Sequence, residues 1–259
     1  MKYIVYNCTQ YPAGGLADRF KGLVSCYGLA KTLGRQFIIN WTYPYKLNSI
    51  LEPNQVDWKP RPISGTAQQY NIMDIDLYRQ YEPLLASATQ ETFPEDISIF
   101  QTNMNFLHLF KLDFAQCFRE LFTFALPRDI TIAPKTLGVS CRFGGQQSDW
   151  QDIDFDKKIS FERVFAQMQQ IAGANNCQDY FICSDSSTFL KYCTEQGLNF
   201  KSTPNIPQHI DYPGCSKDAY EKAFEDFFLL RNCDVICYIK GGYALTAALS
   251  NGKKTVLIE

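Results

Sequence analysis

Apolar positions in the first forty residues change period twice. Tyr3-Ile4-Val5-Tyr6 is a short continuous run, the mark of a strand covered on both faces. Leu16, Phe20, Leu23, Val24, Tyr27, Ala30 and Leu33 then recur at steps of three and four, which is one buried helix face, and Gly34 stops the helix. Gln36-Phe37-Ile38-Ile39-Asn40-Trp41 reads as a second strand. Strand, helix and strand in this span predict a βαβ unit and so a parallel sheet. The turn between them, Pro12-Ala13-Gly14-Gly15-Leu16-Ala17-Asp18-Arg19, places glycines at a helix N-terminus, where backbone can approach a ligand and free N–H groups face anions. A tight strand-to-helix connection with no ligand explains the same stretch equally well.

The pattern loosens from Tyr43 to about Pro94, where prolines and sparse apolar runs predict loops and short helices. Ile97-Ser98-Ile99-Phe100 reads as a strand and Asp113 to Phe124 as a helix. Pro127 to Pro134 is the expected boundary between two domains, 1–130 and 131–259. Beyond it the alternation is regular. Strands are expected at Thr136–Cys141, Tyr180–Cys183, Val235–Tyr238 and Thr255–Ile258. Helices are expected at Phe161–Ile171, after Ser184-Asp185-Ser186-Ser187 to a stop at Gly197, at Asp218–Arg231 and at Ala244–Leu249. Repeated βα alternation predicts an open parallel sheet.

Composition narrows the class. The chain has 259 residues, 46% of them hydrophobic and 20% charged, which is enough for a sizeable core. A net charge of −2 offers no electrostatic case for nucleic acid or an anionic membrane. No run has the length of a membrane span, and the first residues read as a strand, not as a signal peptide. The ten cysteines include no CxxC pair and accompany only two histidines, so a zinc site is not expected and reduced thiols in the cytoplasm are. His108, set between leucines, reads as a core or interface residue; His209, in a Pro-rich loop, is a candidate ligand contact or plain surface.

In open parallel sheets, ligands bind beyond the carboxyl ends of the strands. Four stretches meet that rule: Gly14 to Arg19, Arg142 with the loop Phe143 to Asp149, Ser184-Asp185-Ser186-Ser187, and Gly241-Gly242-Tyr243. Together they suit a nucleotide diphosphate. Arg142 offers a guanidinium fork to phosphate oxygens, and the two later turns offer helix N-terminal amides. Each has a structural alternative, Arg142 as an ion-pair partner and Asp185 as a helix N-cap. Asp152-Ile153-Asp154 reads as a surface pair, so no metal clamp is expected.

These stretches resemble motifs of the fucosyltransferase superfamily that includes the α-1,2, α-1,6 and protein O-fucosyltransferases. Gly14 to Arg19 with Leu33-Gly34-Arg35 is similar to the family's N-terminal glycine loop and helix. Gly138-Val139-Ser140-Cys141-Arg142 falls on its strand into a His-x-Arg motif. Phe181 to Ser186 and Phe227 to Tyr243 resemble its second and third motifs. The chain departs from the family at Ser140, where a histidine is common, at Phe143-Gly144-Gly145 and at Lys240-Gly241. It also ends on a strand, as a compact member or a piece of a longer protein would.

The resemblance implies an α/β, GT-B-like fold in which two Rossmann-like domains face a central cleft, with 1–130 on the acceptor side and 131–259 on the nucleotide-donor side. It implies metal-independent, inverting transfer of a sugar from a nucleotide diphosphate, GDP-fucose favoured, to the hydroxyl of a glycan or lipid-linked oligosaccharide. No cofactor is implied, and the cytoplasm is the expected compartment, with the inner membrane periphery as an extension. Arg142 would anchor the diphosphate, Asp18 would be a base if one is used, and Arg19 an anion or acceptor contact. Gly14, Gly15, Ser184, Asp185, Ser186, Lys240, Gly241, Gly242 and Tyr243 would complete the donor site. The same fold with another nucleotide-linked donor, or a non-catalytic glycan- or nucleotide-binding module, are the alternatives.

Overall fold

A computed structural model describes residues 1–125, 130–144, 159–204 and 208–259. The chain divides into two compact units, Met1–Leu126 and Pro127–Glu259, each built on its own parallel sheet.

The first unit begins with β1 (Tyr3–Cys8), α1 (Leu16–Leu33) and β2 (Gln36–Trp41), with β1 and β2 paired in parallel. Then come β3 (Leu51–Pro53), β4 (Ala67–Ile72), α2 (Ile75–Ala86), β5 (Ile97–Thr102), α3 (Phe114–Leu121) and β6 (Phe122–Phe124). The sheet order is β2-β1-β5-β4, and β3 and β6 form a separate antiparallel pair. Two of these elements correct the reading of Tyr43 to Pro94 as loops and short helices. β4 is an edge strand whose residues Ala67, Gln68, Gln69 and Asn71 are exposed, so it lacks the apolar run of a central strand. The twelve-residue α2 contains Pro83, which reads as a breaker, and is fixed at its start by the Asp74 carboxylate accepting from the Asp76 and Leu77 N–H groups. The helix expected to reach Phe124 stops at Leu121, because Phe122 turns into β6.

The long helix α1 lies tight against the end of β5. A Cβ added at Gly22 would sit 2.0 Å from the Thr102 carbonyl oxygen, a backbone atom that cannot rotate away. Gly22→Ala is expected to destabilise the protein by roughly 1–3 kcal/mol, the range for overpacked cores, read as a lower melting temperature.

Glu120 on α3 ties that helix to α1. One oxygen accepts from Tyr27 Oη at 2.6 Å and Lys31 Nζ at 2.8 Å, the other from Gln116 Nε2 at 2.9 Å. Burial pushes the Glu120 carboxyl up, but the three donors outweigh it and hold the group below its ordinary value. A carboxyl depressed on folding stabilises the protein above its unfolded pKa, and that contribution is lost as pH falls through the folded one. Glu120→Gln should therefore flatten the acid limb of the stability curve below about pH 5, measured by urea unfolding at several pH values.

The second unit contains β7 (Thr136–Cys141), α4 (Phe161–Ala174), β8 (Asp179–Ser184), α5 (Ser187–Glu195), α6 (Lys217–Leu230), β9 (Val235–Tyr238), α7 (Gly242–Leu249) and β10 (Lys254–Leu257). All its strands run parallel in the order β10-β9-β7-β8. The α4–α5 face of the core is aromatic: Phe143 packs its ring 4.9 Å from Phe161 and 4.8 Å from Phe189. The ten cysteines form no disulfide, and nine are buried, Cys177 being the exception. Burial pushes the thiols of Cys26, Cys141 and Cys183 well up and that of Cys193 to about 12. No helix among the described residues is long and apolar enough to cross a membrane.

Candidate functional site

Sheet topology places a ligand crevice in the second unit. In the second unit β7 has β8 on one side and β9 on the other, so successive crossovers leave β7 in opposite directions. That reversal marks the crevice beyond the carboxyl ends of β7 and β9. Ser140 pairs with Tyr238, so Arg142 and Lys240, each two residues farther on, leave the sheet at the same level on neighbouring strands. Lys240 is exposed and Arg142 half-buried. Gly241, with φ +106°, forms the N-cap of α7, and Gly242 opens the helix, so its first amides lie just past the end of β9. Two cations and a helix N-terminus at one sheet edge make a site for an anionic group.

Arg142 is held on both sides. Before it, Cys141 ends β7; after it, the Phe143 ring is fully buried. Phe143, expected in the loop after Arg142, is thus part of the core. The carboxylate of Asp185 accepts from the Phe143 N–H at 2.9 Å and the Gly144 N–H at 3.2 Å. Asp185 does not cap α5. Ser186 does, accepting from the Phe189 N–H at 3.2 Å, while Ser184 Oγ accepts from the Ser186 N–H at 3.1 Å. Ser184, Asp185 and Ser186 are all buried, and the side-chain bonds described here close the turn on itself and on the residues after Arg142.

Tyr243, a candidate donor contact, points into the protein. Its hydroxyl donates to the Ala223 carbonyl at 2.5 Å and its ring meets Phe227 edge-on. Burial pushes its phenol well above the ordinary value. Gly241 and Gly242 leave backbone at the crevice, whereas the Tyr243 side chain fastens α7 to α6. His209 is half-buried in the segment before α6, and its carbonyl accepts from the Tyr212 N–H at 2.9 Å. Gly145 to Asp149 and the pair Asp152 and Asp154 lie outside the described residues.

In the first unit Gly14 to Arg19 follow the carboxyl end of β1, a central strand of its sheet. Gly15 is the N-cap of α1, and Asp18 lies in the first turn, partly exposed and paired with Lys21 at 2.7 Å. Arg19 lies elsewhere than an anion contact would. It is fully buried, donates from Nε to the Gly14 carbonyl at 2.7 Å and from Nη1 to the Tyr43 carbonyl at 2.5 Å, and packs over the Trp41 and Tyr43 rings. A guanidinium with no exposed surface cannot meet a ligand while these bonds stand; it shapes the glycine turn from behind. Asn103, at the end of β5, was not singled out by sequence reading. A Cβ on Gly14 would lie 3.6 Å from the Asn103 Cβ and Nδ2, and the Asn103 Oδ1 is buried without a hydrogen bond. The available signal was its position, a polar residue just past a predicted strand. His108, expected in a core or interface, is exposed on a 3-10 turn. Among the described residues, no group of three or more His, Cys, Asp and Glu side chains could hold a metal ion.

The α/β fold with parallel sheets resembles that of solved fucosyltransferase structures. One similar structure is NodZ alpha-1,6-fucosyltransferase soaked with GDP-fucose, with a TM-score of 0.58 and 14% identity over 96% of this chain and 92% of that one. Another is a mutant of Arabidopsis thaliana FUT1 in complex with GDP, with a TM-score of 0.62 and 11% identity over 99% and 70%. A third is POFUT1 in complex with GDP-fucose, with a TM-score of 0.56 and 9% identity over 99% and 97%. At these identities the likeness is one of fold. No protein-family model matches the chain, and no curated protein matches it in sequence.

Proposed function

We propose that the chain is a glycosyltransferase of the fucosyltransferase type. It moves a sugar from a nucleotide diphosphate, GDP-fucose favoured, to a glycan hydroxyl with inversion and without a metal. The observation that carries this reading is Arg142 beside Lys240 and the start of α7 at the topological reversal of the second sheet. The GDP and GDP-fucose held by proteins of the same fold support it. In the reaction, the acceptor oxygen bonds to the anomeric carbon as the bond from that carbon to the diphosphate oxygen breaks. Negative charge grows on the leaving diphosphate, and Arg142 with the α7 amides stabilises it there. The acceptor proton passes to Asp18 or to solvent. Residues 131–259 form the donor side and 1–130 the acceptor side. Cysteines without disulfides fit the cytoplasm.

Ser140 supports a second reading, in which the donor is a different nucleotide-linked group, because that position is a histidine in the motif it resembles. Thermal shift with GDP, UDP and CDP separates the two. A nucleotide present at a hundred times its Kd adds about 2.7 kcal/mol of stability. GDP alone should raise the melting temperature; a response to UDP or CDP instead selects the second reading, and no response to any nucleotide refutes both.

A further inference from the structure

The geometry points to Asp185 as a positioning residue that holds Arg142 in place by filling the amide pair after it, and not as a contact for the donor. The inference rests on reading Arg142 as the diphosphate anchor. Asp185 is 5% exposed, and its two carboxylate oxygens are engaged separately, Oδ1 by the Phe143 N–H and Oδ2 by the Gly144 N–H. Its own N–H donates to the Cys141 carbonyl at 3.3 Å. These three bonds fall on residues 141, 143 and 144, on both sides of Arg142.

The adjacent Phe143 and Gly144 N–H groups converge on one point. Such a concavity ordinarily receives an external anion. Here the protein supplies the anion itself. The buried Phe143 ring fixes its own side chain, and the carboxylate fixes the direction of the Phe143 and Gly144 N–H groups. Ser184 and Ser186 lock the turn from which Asp185 projects, so the support is itself rigid. An arginine ordered in advance loses less freedom when a diphosphate arrives.

The test combines Asp185→Asn with Arg142→Ala in a double-mutant cycle on GDP binding, measured by calorimetry. Asparagine keeps the size of the side chain but offers an NH2 where an N–H needs an acceptor. Alone it should weaken GDP about tenfold, and in the Arg142→Ala background it should cost less than about twofold, since both changes remove one effect. Losses that add in full, or GDP bound as tightly as by wild type, overturn the proposal. Amide exchange in nucleotide-free wild type needs no variant: the Phe143 and Gly144 N–H groups should be protected, and rapid exchange at both overturns the proposal. Protected amides in a protein that binds no nucleotide would refute the transferase reading and leave Asp185 as the support of the loop.

Discussion

Arg142→Ala is expected to lower kcat/KM for sugar transfer by about a hundredfold or more, the cost of removing one donor aimed at transition-state charge. The loss should appear mainly in kcat, because charge on the diphosphate oxygen grows as its bond to the sugar breaks. Arg142→Lys should recover only part, since an ammonium keeps the charge but lacks the planar fork that meets two phosphate oxygens. Initial rates with GDP-fucose and a glycan acceptor measure both variants, and an unchanged melting temperature shows that the fold is intact. A glycan-binding module would keep its affinity in both.

The second large effect lies beneath α6. Lys222 and Asp226 form an ion pair at 3.1 Å with side chains 6% and 4% exposed. Thr203 closes the cluster, accepting from Lys222 and donating to Asp226 through the same hydroxyl, and its carbonyl takes a further bond from Lys222 at 3.2 Å. Burial pushes the Asp226 carboxyl up, more than Lys222 and Thr203 pull it down, so the charged pair is held at a cost in solvation. Removing one partner strands the other charge. Asp226→Ala or Lys222→Ala should each cost about 3–5 kcal/mol, whereas Lys222→Met with Asp226→Leu should cost far less. Urea unfolding of the three variants checks this, and a double variant as unstable as the singles would contradict it.

The fold was legible wherever one period dominates. Helix α1 shows its buried face in the sequence, and the central strands β1, β5, β7 and β9 read as apolar runs because both their faces are largely buried. Strand β4 was not, since an edge strand with exposed Gln68, Gln69 and Asn71 looks like a loop until its pairing with β5 is known. The site was legible as positions and less so as roles. Arg142, Asp185 and Gly241 follow strands, and the rule for open sheets finds them without a structure. What their side chains do depends on partners far off in the chain. Asp185 meets amides some forty residues earlier because β7 and β8 are neighbours. Arg19 finds a carbonyl at Tyr43, and Tyr243 one at Ala223. No local pattern distinguishes an arginine that waits for a phosphate from one that fastens a turn.

The contact between Gly22 and the Thr102 carbonyl bears on how distant kin of this chain are to be sought. Overall similarity fades when surface and core residues drift together, but a site with no room for a Cβ cannot drift while helix and strand keep their spacing. A search that demands a glycine seven residues into the first helix, with a predicted strand near position 100 of the chain, uses a steric requirement in place of resemblance. It can sort candidates whose aligned residues are too few to count.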